Sequence, residues 1–439
     1  MAEQDRIWVT VQGGEHDEHD EYVDLFDSAE VFNRQLLKWT IRQAFQFKIK
    51  KNQRRSVLGQ VVSRELEPNQ RFVGLAQSVS FHSSADFGRH LIANVEIPFE
   101  TKVAESRAYA AVIDHTTNGY CVTCLGEIPS REESQDTGVF SQKCTACNIV
   151  KYCSDDCVRN NTTHVYECGS AYHAIIFGTE IIMKLAIQLV FKALALHAGN
   201  IRRLRNVVAR ILADMNNNNA VHMATIRDEA QRFECIMRLT AKRFYPEFHR
   251  QVYETYATIM QIPSIAERFE GQSDKRFLQH LIGHFLRIAS NNSFENELIS
   301  NVYICTLYDT ISFFNHSCAP NVTICMEGGT MHCIACREIK ANEQLFIDYC
   351  EFETETRAVR RRKLRESWNI NCVCERCENS PITRAQIDEA KSKNLNQLQT
   401  FLRDKNQWTQ EIAMDSAYFW REFFYIIFFV CAGNRFKIL

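Results

Sequence analysis

The sequence predicts an α+β protein in which a β-rich unit is split by a cysteine-rich segment and a helical block. Short strand-like segments occupy 78–120, and strand signals return at 302–349. Between them, seven cysteines fall within 121–168. From about 170 to 290 the apolar spacing is helical. The interrupted order of strands therefore predicts one β-rich unit that carries two insertions.

The segments outside this unit are less informative. Residues 1–77 join an acidic stretch at 15–27 to a basic one near 48–55, which favours a solvated, partly helical arm. A charged helix is expected at 354–368, before a second cysteine cluster. The remainder, 381–439, has a helical and apolar pattern.

Two apolar stretches resemble membrane spans in composition only. The run 423–432 has ten apolar residues, too few to cross a bilayer. In 175–196 the polar residues Glu180, Lys184, Gln188 and Lys192 recur every fourth position. That spacing predicts one polar stripe on an amphipathic, buried helix, so no membrane association is expected.

The overall composition limits the classes of protein to consider. The chain has 439 residues, of which 45% are apolar, enough for two or three cores. A formal net charge of −2 gives no global basic field, so nucleic acid is not an expected partner. The opening MAEQDRIWV does not read as a secretory signal. We therefore expect a monomer in the cytoplasm and nucleus, where clustered cysteines are metal ligands rather than disulfides.

The first cysteine cluster has the spacing of two zinc sites. The ligands form four pairs: Cys121 and Cys124, Cys144 and Cys147, Cys153 and Cys157, His164 and Cys168. Eight thiolate and imidazole ligands suit two tetrahedral zinc ions. We expect an interleaved arrangement, in which the first and third pairs share one ion and the second and fourth pairs share the other.

A second constellation lies toward the C-terminus. Residues 312–322 read SFFNHSCAPNV, and Cys372, Cys374 and Cys377 follow in C-x-C-x2-C spacing. Three cysteines leave a tetrahedral ion one ligand short, and Cys318 is the natural candidate for the fourth.

These motifs resemble those of a known family. The tail KYCSDDCVRNNTTHVYEC resembles the MYND zinc finger, a protein-interaction module. Asn315-His316-Ser317-Cys318 is similar to the central motif of SET-domain methyltransferases, and EQLFIDY (343–349) to the SET motif that ends in a catalytic tyrosine. NCVCERC resembles the post-SET zinc site, and FGRHLIA (87–93) the first SET motif. Over about 80–380 the chain resembles the SET-and-MYND (SMYD) family, most closely the members with an N-terminal extension.

The resemblance implies a domain order. The expected segments are a partly helical N-terminal extension (1–77), the first part of the SET domain (78–120), the MYND finger (121–168), a helical SET insert (169–290), the core SET segment (291–350), the post-SET zinc region (351–380), and a helical C-terminal segment (381–439).

The resemblance also implies an activity and a site. The family transfers a methyl group from S-adenosylmethionine to a protein lysine, with three zinc ions as structural metals. Tyr349 would be the catalytic residue and would also contact the cofactor. The other expected cofactor-binding residues are Phe87, Gly88, Arg89, Asn292, Asn315, His316 and Ile370. Arg89 would face the cofactor carboxylate, and Ile370 would cover the adenine.

Three departures from the family pattern stand out. His90 occupies the position of a usual glycine, where a side chain can reshape the cofactor edge. Trp368 and Ile370 stand where the family usually has aromatic residues. Ala341-Asn342-Glu343-Gln344 replaces Gly-Glu-Glu, with the loss of one carboxylate. None of these changes removes an atom that methyl transfer requires.

Two alternative functions were weighed against the enzyme. One is an interaction scaffold whose MYND finger binds a proline-rich partner while the SET domain is weak or inactive. The other, a zinc adaptor unrelated to enzymes, does not account for the NHSC motif. The basic run 357–365 is expected to be a solvated helix face rather than a nucleic-acid site. The substrate lysine and the degree of methylation are not encoded in any motif.

Overall fold

The structure is a computed structural model that describes residues 67–113, 119–126, 128, 142–216, 225–242, 246–297, 303–349 and 357–378. The predictions for the N-terminal arm up to residue 66 and for the helical segment 381–439 lie outside these residues. The chain divides into two compact units, Asn33–Tyr349 and Met1–Phe32 with Cys350–Leu439.

Four strands precede the cysteine-rich segment. They are β1 (Val79–Ser84), β2 (Gly88–Ala93), β3 (Lys102–Arg107) and β4 (Ala110–Ile113). The first two form an antiparallel hairpin. The sequence did not predict β3, because its burial does not alternate strictly: the adjacent residues Val103 and Ala104 are both buried, and the register with β11 shifts beside them.

Six further strands lie between 294 and 349 in the part of the chain that the structure describes. They are β7 (Phe294–Glu297), β8 (Tyr303–Leu307), β9 (Asn315–His316), β10 (Val322–Glu327), β11 (Thr330–Ala335) and β12 (Phe346–Ile347). One sheet has the order β10-β11-β3 and another the order β4-β8-β7. Early and late strands therefore share sheets, which confirms the prediction of a split β-rich unit.

Where it is described, at 121–126, 128 and 142–168, the cysteine-rich segment contains little regular structure. Its described elements are the hairpin of β5 (Gln142–Lys143) with β6 (Lys151–Tyr152), helix α1 (Asp155–Asn160) and helix α2 (His164–Glu167). The Ser154 side chain caps α1 by accepting from the Cys157 N–H. Buried Val150, Tyr152 and Ile128 form a small cluster with the cysteines, too small to hold this segment together without another tie.

The segment contacts the sheet through the turn between β10 and β11. The Gly329 N–H donates to the Cys124 carbonyl at 2.7 Å, and the Gly329 carbonyl accepts from Ala108 N–H at 2.9 Å. Gly328 has a φ of 55°, in the left-handed region. The cysteine-rich segment and the sheet therefore share a backbone hydrogen-bond network.

The described residues of the helical block, which exclude 217–224 and 243–245, form seven helices: α3 (Ser170–Ile176), α4 (Ile181–Leu196), α5 (Ile201–Asn216), α6 (Glu229–Met237), α7 (Pro246–Ile259), α8 (Pro263–Ala266) and α9 (Gln272–Asn292). The single helix predicted over 175–196 is wrong, because the chain breaks at Gly178, whose φ is 76°. The prediction that the polar residues form one solvent-facing stripe is also partly wrong, because Lys184 on α4 is only 5% exposed. Lys192, another residue of that stripe, lies over the ring of Tyr109, with Nζ 5.4 Å from the ring centroid.

In the described part of the chain, no single helix has the length and apolar composition to span a membrane. Only α4 joined to Ile201–Met215, across a bend of 110°, meets those criteria as a pair.

The second unit is described over 357–378. It contains α10 (Arg357–Trp368) and α11 (Glu375–Glu378). The expectation of a wholly solvated basic face on α10 is wrong, since Arg360 is fully buried with Nη2 3.7 Å from the Cys377 sulfur. Arg361 donates to the carbonyls of Cys372 and Cys377. These arginines satisfy acceptors around the second cysteine cluster.

Candidate active site and metal clusters

The Asn315-His316 strand and the strand that leads to Tyr349 are adjacent. Strand β9 pairs with β12 in parallel, with Phe346 opposite Asn315 and Ile347 opposite His316. The Ser317 N–H also donates to the Ile347 carbonyl at 3.1 Å. Two motifs that lie about 30 residues apart in sequence thus form one surface.

Tyr349 is held at both ends. Its N–H donates to His316 Nδ1 at 3.2 Å, and its hydroxyl donates to the Phe314 carbonyl at 2.9 Å. Burial raises the pKa of Tyr349 well above its usual value. The hydroxyl therefore remains protonated and acts as an oriented dipole, not as a base.

His316 is fixed by three neighbours. Because Nδ1 accepts from the Tyr349 N–H, the ring proton lies on Nε2, which is 3.2 Å from the Cys318 sulfur. The Asp348 carboxylate is 3.7 Å from Nδ1. The imidazole therefore joins the tyrosine strand to the buried cysteine of the NHSC motif.

The predicted first motif is adjacent to this surface. Asn315 Nδ2 donates to the Phe87 carbonyl at 3.0 Å. Gly88 has a φ of 59° and starts β2, while Phe87 is 52% exposed. The tight turn at Gly88 lets the backbone of Phe87 reach the side chain of Asn315.

Arg89 is a largely desolvated cation on the same hairpin. Its guanidinium lies over the Phe313 ring at 5.2 Å from the centroid and approaches Thr240 Oγ1 at 3.5 Å. Desolvation lowers the pKa of Arg89. Among the ion pairs of the described residues, none joins a carboxylate to Arg89. This position suits the carboxylate of a ligand.

Asn292 ends α9 and connects to Arg89 through Thr240. Its Nδ2 donates to the carbonyls of Thr240 and Ile288, both at 2.8 Å. Thr240 was not singled out in the sequence, because a lone threonine after a helix carries no motif. Through Thr240, the helical block contributes directly to the candidate site.

Asn321 is a second site residue to which the sequence assigned no role. It is fully buried, and its Oδ1 accepts from the Phe346 N–H at 2.7 Å. Its Nδ2 donates to the Gln344 carbonyl at 2.8 Å and to Glu343 Oε1 at 3.0 Å. Asn321 thus fixes the strand that precedes Tyr349, and the Pro320-Asn321 pair of the motif was the available signal.

The departures from the family pattern have structural consequences of their own. His90 is buried, with Nδ1 2.9 Å from the Gly88 carbonyl, so its ring braces the Gly88 turn. Asn342 adopts a φ of 65°, a conformation that asparagine tolerates. The remaining carboxylate, Glu343, binds Arg337 at 2.5 Å and accepts from the Lys340 N–H at 2.9 Å. Desolvation opposes ionisation of Glu343, but the hydrogen bonds from Arg337, Lys340 and Asn321 together outweigh it and lower the pKa.

The first cysteine cluster has the predicted interleaved arrangement. The potential ligand atoms within each group lie within 4.8 Å of one another, and the groups are Cys121, Cys124, Cys153, Cys157 and Cys144, Cys147, His164, Cys168. Sulfur–sulfur distances of 3.5 Å join Cys153 to Cys124 and to Cys157. Ligands at a Zn–S distance of 2.3 Å are roughly 3.8 Å apart in a tetrahedron. The donor atoms therefore fit zinc in number, chemistry and separation.

Local hydrogen bonds favour the thiolate form of at least one cysteine in each group, whereas the hydrogen bond with Cys121 raises the pKa of Cys124 and burial raises the pKa of Cys168. The hydrogen bond from Cys124 lowers the pKa of Cys121 to about 4. In the second group, the backbone N–H of Cys147 lowers the pKa of Cys144 to about 6. A thiolate is the form that binds a metal.

The second cysteine cluster is described within its own unit. The sulfurs of Cys372, Cys374 and Cys377 lie within 4.8 Å of one another. Cys318, which is buried, belongs to the other unit, so its role as the fourth ligand stays a prediction. Trp368 and Ile370 also lie in the second unit, and their contacts with the cofactor stay predictions as well.

Comparison with known proteins identifies the family. The SET domain family model matches residues 88–350, more than half of the chain. The chain therefore belongs to the SET domain family, and its relatives place it among SET-and-MYND proteins.

Three relatives show the extent of the similarity. A SET and MYND domain-containing protein of Dictyostelium discoideum is 23% identical over 320 residues, which are 66% of this chain and 58% of that protein. SET domain and MYND-type zinc finger protein 6 of Schizosaccharomyces pombe is 23% identical, over 68% of this chain and 52% of that protein. Human N-lysine methyltransferase SMYD2 is 26% identical, over 35% of this chain and 40% of its own. The chain thus spans about half the length of these relatives.

A solved structure of the SET domain of LSMT, bound to lysine and AdoHcy, aligns with a TM-score of 0.33 at 8% identity. The alignment covers 67% of this chain and 53% of that chain, and similarity at this level establishes no shared detail.

Proposed function

We propose that the chain is an S-adenosylmethionine-dependent protein-lysine N-methyltransferase. One observation carries the proposal: the Asn315-His316 strand is hydrogen-bonded both to the strand of Tyr349 and to the Phe87 carbonyl. Membership of the SET domain family and similarity to N-lysine methyltransferase SMYD2 support it.

The residues of the site fit a zwitterionic cofactor. Arg89 supplies an unneutralised, desolvated guanidinium for a carboxylate. Asn315 and Asn292 supply amides, and the Phe87–Arg89 backbone supplies an open turn. When bound, S-adenosylmethionine supplies an electrophilic methyl group and leaves as S-adenosylhomocysteine.

The protein's part in the reaction is positioning. A substrate lysine, with an ordinary pKa of about 10.4, must lose a proton before its nitrogen can attack, and an apolar channel favours the neutral amine. Tyr349 holds a fixed, protonated hydroxyl beside the transfer point, anchored through Phe314 and His316. Oriented dipoles of this kind stabilise the transition state at no cost of reorganisation.

Replacement of Arg89 by methionine should weaken binding of S-adenosylmethionine. A charge-assisted hydrogen bond contributes roughly 1.5–3 kcal/mol, so we expect a Kd increase of about 10- to 100-fold. Calorimetry measures this directly, with Arg89→Lys as the charge-preserving control. An Arg89→Met variant with unchanged affinity would remove Arg89 from the cofactor site.

We also propose that the MYND finger holds two zinc ions and that Cys318, Cys372, Cys374 and Cys377 hold a third. Metal analysis of the purified chain should give three zinc ions per molecule. Two ions would mean that the post-SET site is not formed, and none would refute the assignment of all twelve ligands.

The proposed partners follow from the same modules. The SET domain would act on a protein or peptide lysine, the finger would bind a proline-rich segment, and the protein would work as a monomer in the cytoplasm and nucleus.

A scaffold with a weak or inactive SET domain is the second candidate function. It is favoured by His90 and Ile370, which replace residues usual in the family. Incubation of the chain with methyl-labelled S-adenosylmethionine and lysine-containing proteins separates the two functions. Label on lysine, lost on mutation of Tyr349, supports the enzyme. A zinc-loaded chain that binds no cofactor supports the scaffold.

A further inference from the structure

Glu167 places a buried carboxylate next to a metal ligand. Its side chain is 7% exposed, and Oε2 lies 3.9 Å from Nδ1 of His164. Nε2, the other ring nitrogen of His164, lies 3.7 Å from the Cys147 sulfur. The two ring nitrogens of His164 therefore face different neighbours: Nε2 faces the cysteine group, and Nδ1 faces the carboxylate of Glu167.

The backbone and one ring face of His164 have defined neighbours. The backbone N–H donates to Asn161 Oδ1 at 3.0 Å, and the imidazole packs edge-to-face with the Tyr152 ring, with 6.1 Å between the ring centroids. Nδ1 is buried and has no hydrogen-bond partner among the described residues. A buried nitrogen of this kind requires an acceptor once it carries the ring proton.

The chemistry of zinc ligation puts the proton on that nitrogen. When Nε2 gives its lone pair to an ion, the proton of the neutral imidazole lies on Nδ1. A carboxylate or carbonyl that accepts this proton fixes the ring orientation and makes the ligand more basic. Among the described residues, Glu167 is the acid paired with His164, and its Oε2 lies about 1 Å beyond hydrogen-bond distance of Nδ1.

We propose that Glu167 is the positioning residue of the second zinc site, accepting the Nδ1 proton of His164. The inference rests on the proposed zinc occupancy of Cys144, Cys147, His164 and Cys168, and not on methyltransferase activity. It also accounts for a carboxylate kept inside a small cysteine-rich segment, where an unpaired charge is costly.

The chain offers a matched control. Asp156 immediately precedes the ligand Cys157, just as Glu167 precedes Cys168. The Asp156 side chain is 77% exposed and pairs with Arg159. Asp156→Asn removes an acid beside a zinc ligand without removing a partner of a histidine.

The test compares zinc affinity in the full-length wild type, Glu167→Ala, Glu167→Gln and Asp156→Asn, by competition with a chromophoric chelator. Loss of a hydrogen-bond partner of a metal ligand typically lowers affinity about 10- to 100-fold. We expect that loss for one zinc ion per chain in Glu167→Ala, and a smaller loss in Glu167→Gln, whose amide oxygen still accepts. Asp156→Asn should stay within about twofold.

Cobalt substitution identifies the weakened site, because a site with three sulfurs and one nitrogen absorbs differently from a four-sulfur site. When a chelator is added to cobalt-loaded Glu167→Ala, the absorption of the site with three sulfurs and one nitrogen should be lost before that of the four-sulfur sites. Wild-type affinity in Glu167→Ala, or equal weakening of both spectra, would overturn the role of Glu167. A wild-type chain that binds no metal at this site would overturn the zinc assignment and this role with it.

Discussion

Replacing Tyr349 by phenylalanine should lower the rate of methyl transfer by about 10²- to 10³-fold, the usual effect of removing one preorganised polar group. Binding of S-adenosylmethionine should change little, because the backbone N–H that contacts His316 is kept. The loss should therefore appear in kcat and not in the Kd of the cofactor.

The variant removes one buried hydrogen bond as well as the hydroxyl. The Phe314 carbonyl loses its donor at 2.9 Å, which costs about 1–3 kcal/mol of stability if no water replaces it. Tyr308→Phe is the matched control, since the Tyr308 hydroxyl also donates to a buried backbone carbonyl, that of Gly329, at 3.2 Å. A similar loss of activity in both variants would assign the effect to folding. Full activity in Tyr349→Phe would refute the role of the hydroxyl.

The second large effect is expected at Gly328, where the cysteine-rich segment meets the sheet. A Cβ on Gly328 would lie 2.7 Å from the Cys124 carbonyl oxygen and 2.9 Å from the Gly126 nitrogen. Both are backbone atoms at or near Cys124, a proposed zinc ligand, and cannot move aside as a flexible side chain would. Gly328→Ala should therefore displace either the turn that contains Cys121 and Cys124 or the β10–β11 turn.

The expected cost of Gly328→Ala has two parts. The left-handed φ costs about 1–2 kcal/mol for any residue with a Cβ, and the overlap adds about 1–3 kcal/mol. Gly178→Ala isolates the first part, because Gly178 has a φ of 76° and nothing lies within 4 Å of its Cβ. Denaturant unfolding should show the larger loss at Gly328, together with weaker zinc retention at the first site. Equal losses in the two variants would mean that the turn does not support the finger.

The sequence predicted many of the residues that the structure brings together, because they come in short motifs with fixed spacing. Four pairs of potential ligands and two ions allow three arrangements, and the donor atoms lie in the interleaved one that we expected. The adjacency of Asn315 and Tyr349 was implied only by resemblance, and the parallel pairing of β9 with β12 supplies its physical basis.

The residues that sequence reasoning missed act through contacts with residues distant in sequence. No periodicity or spacing marks Thr240, which bonds to Arg89 and Asn292. Asn321 stands within the NHSC-containing motif, but the motif does not reveal its bonds to Phe346 and Gln344. The burial of Lys184 was missed for a related reason. Helical periodicity gives the spacing of polar residues but not what packs against them, and here Lys184 is among the buried residues of α4.

The hydrogen bond between Gly329 and Cys124 also changes how the cysteine-rich segment is understood. Because the Cys121–Cys124 turn is hydrogen-bonded to the β10–β11 turn, we expect the cysteine-rich segment to stabilise the split β-rich unit in addition to any role in binding partners. Zinc content and stability of the whole β-rich unit should then change together.

Whether the chain binds the cofactor is best measured by calorimetry of the zinc-loaded chain with S-adenosylhomocysteine, which requires neither the substrate nor turnover. We expect one binding site per chain, weakened by Arg89→Met and retained in Tyr349→Phe. Absence of binding by folded, zinc-loaded protein would contradict the assignment of a cofactor site at Arg89, Asn315 and His316.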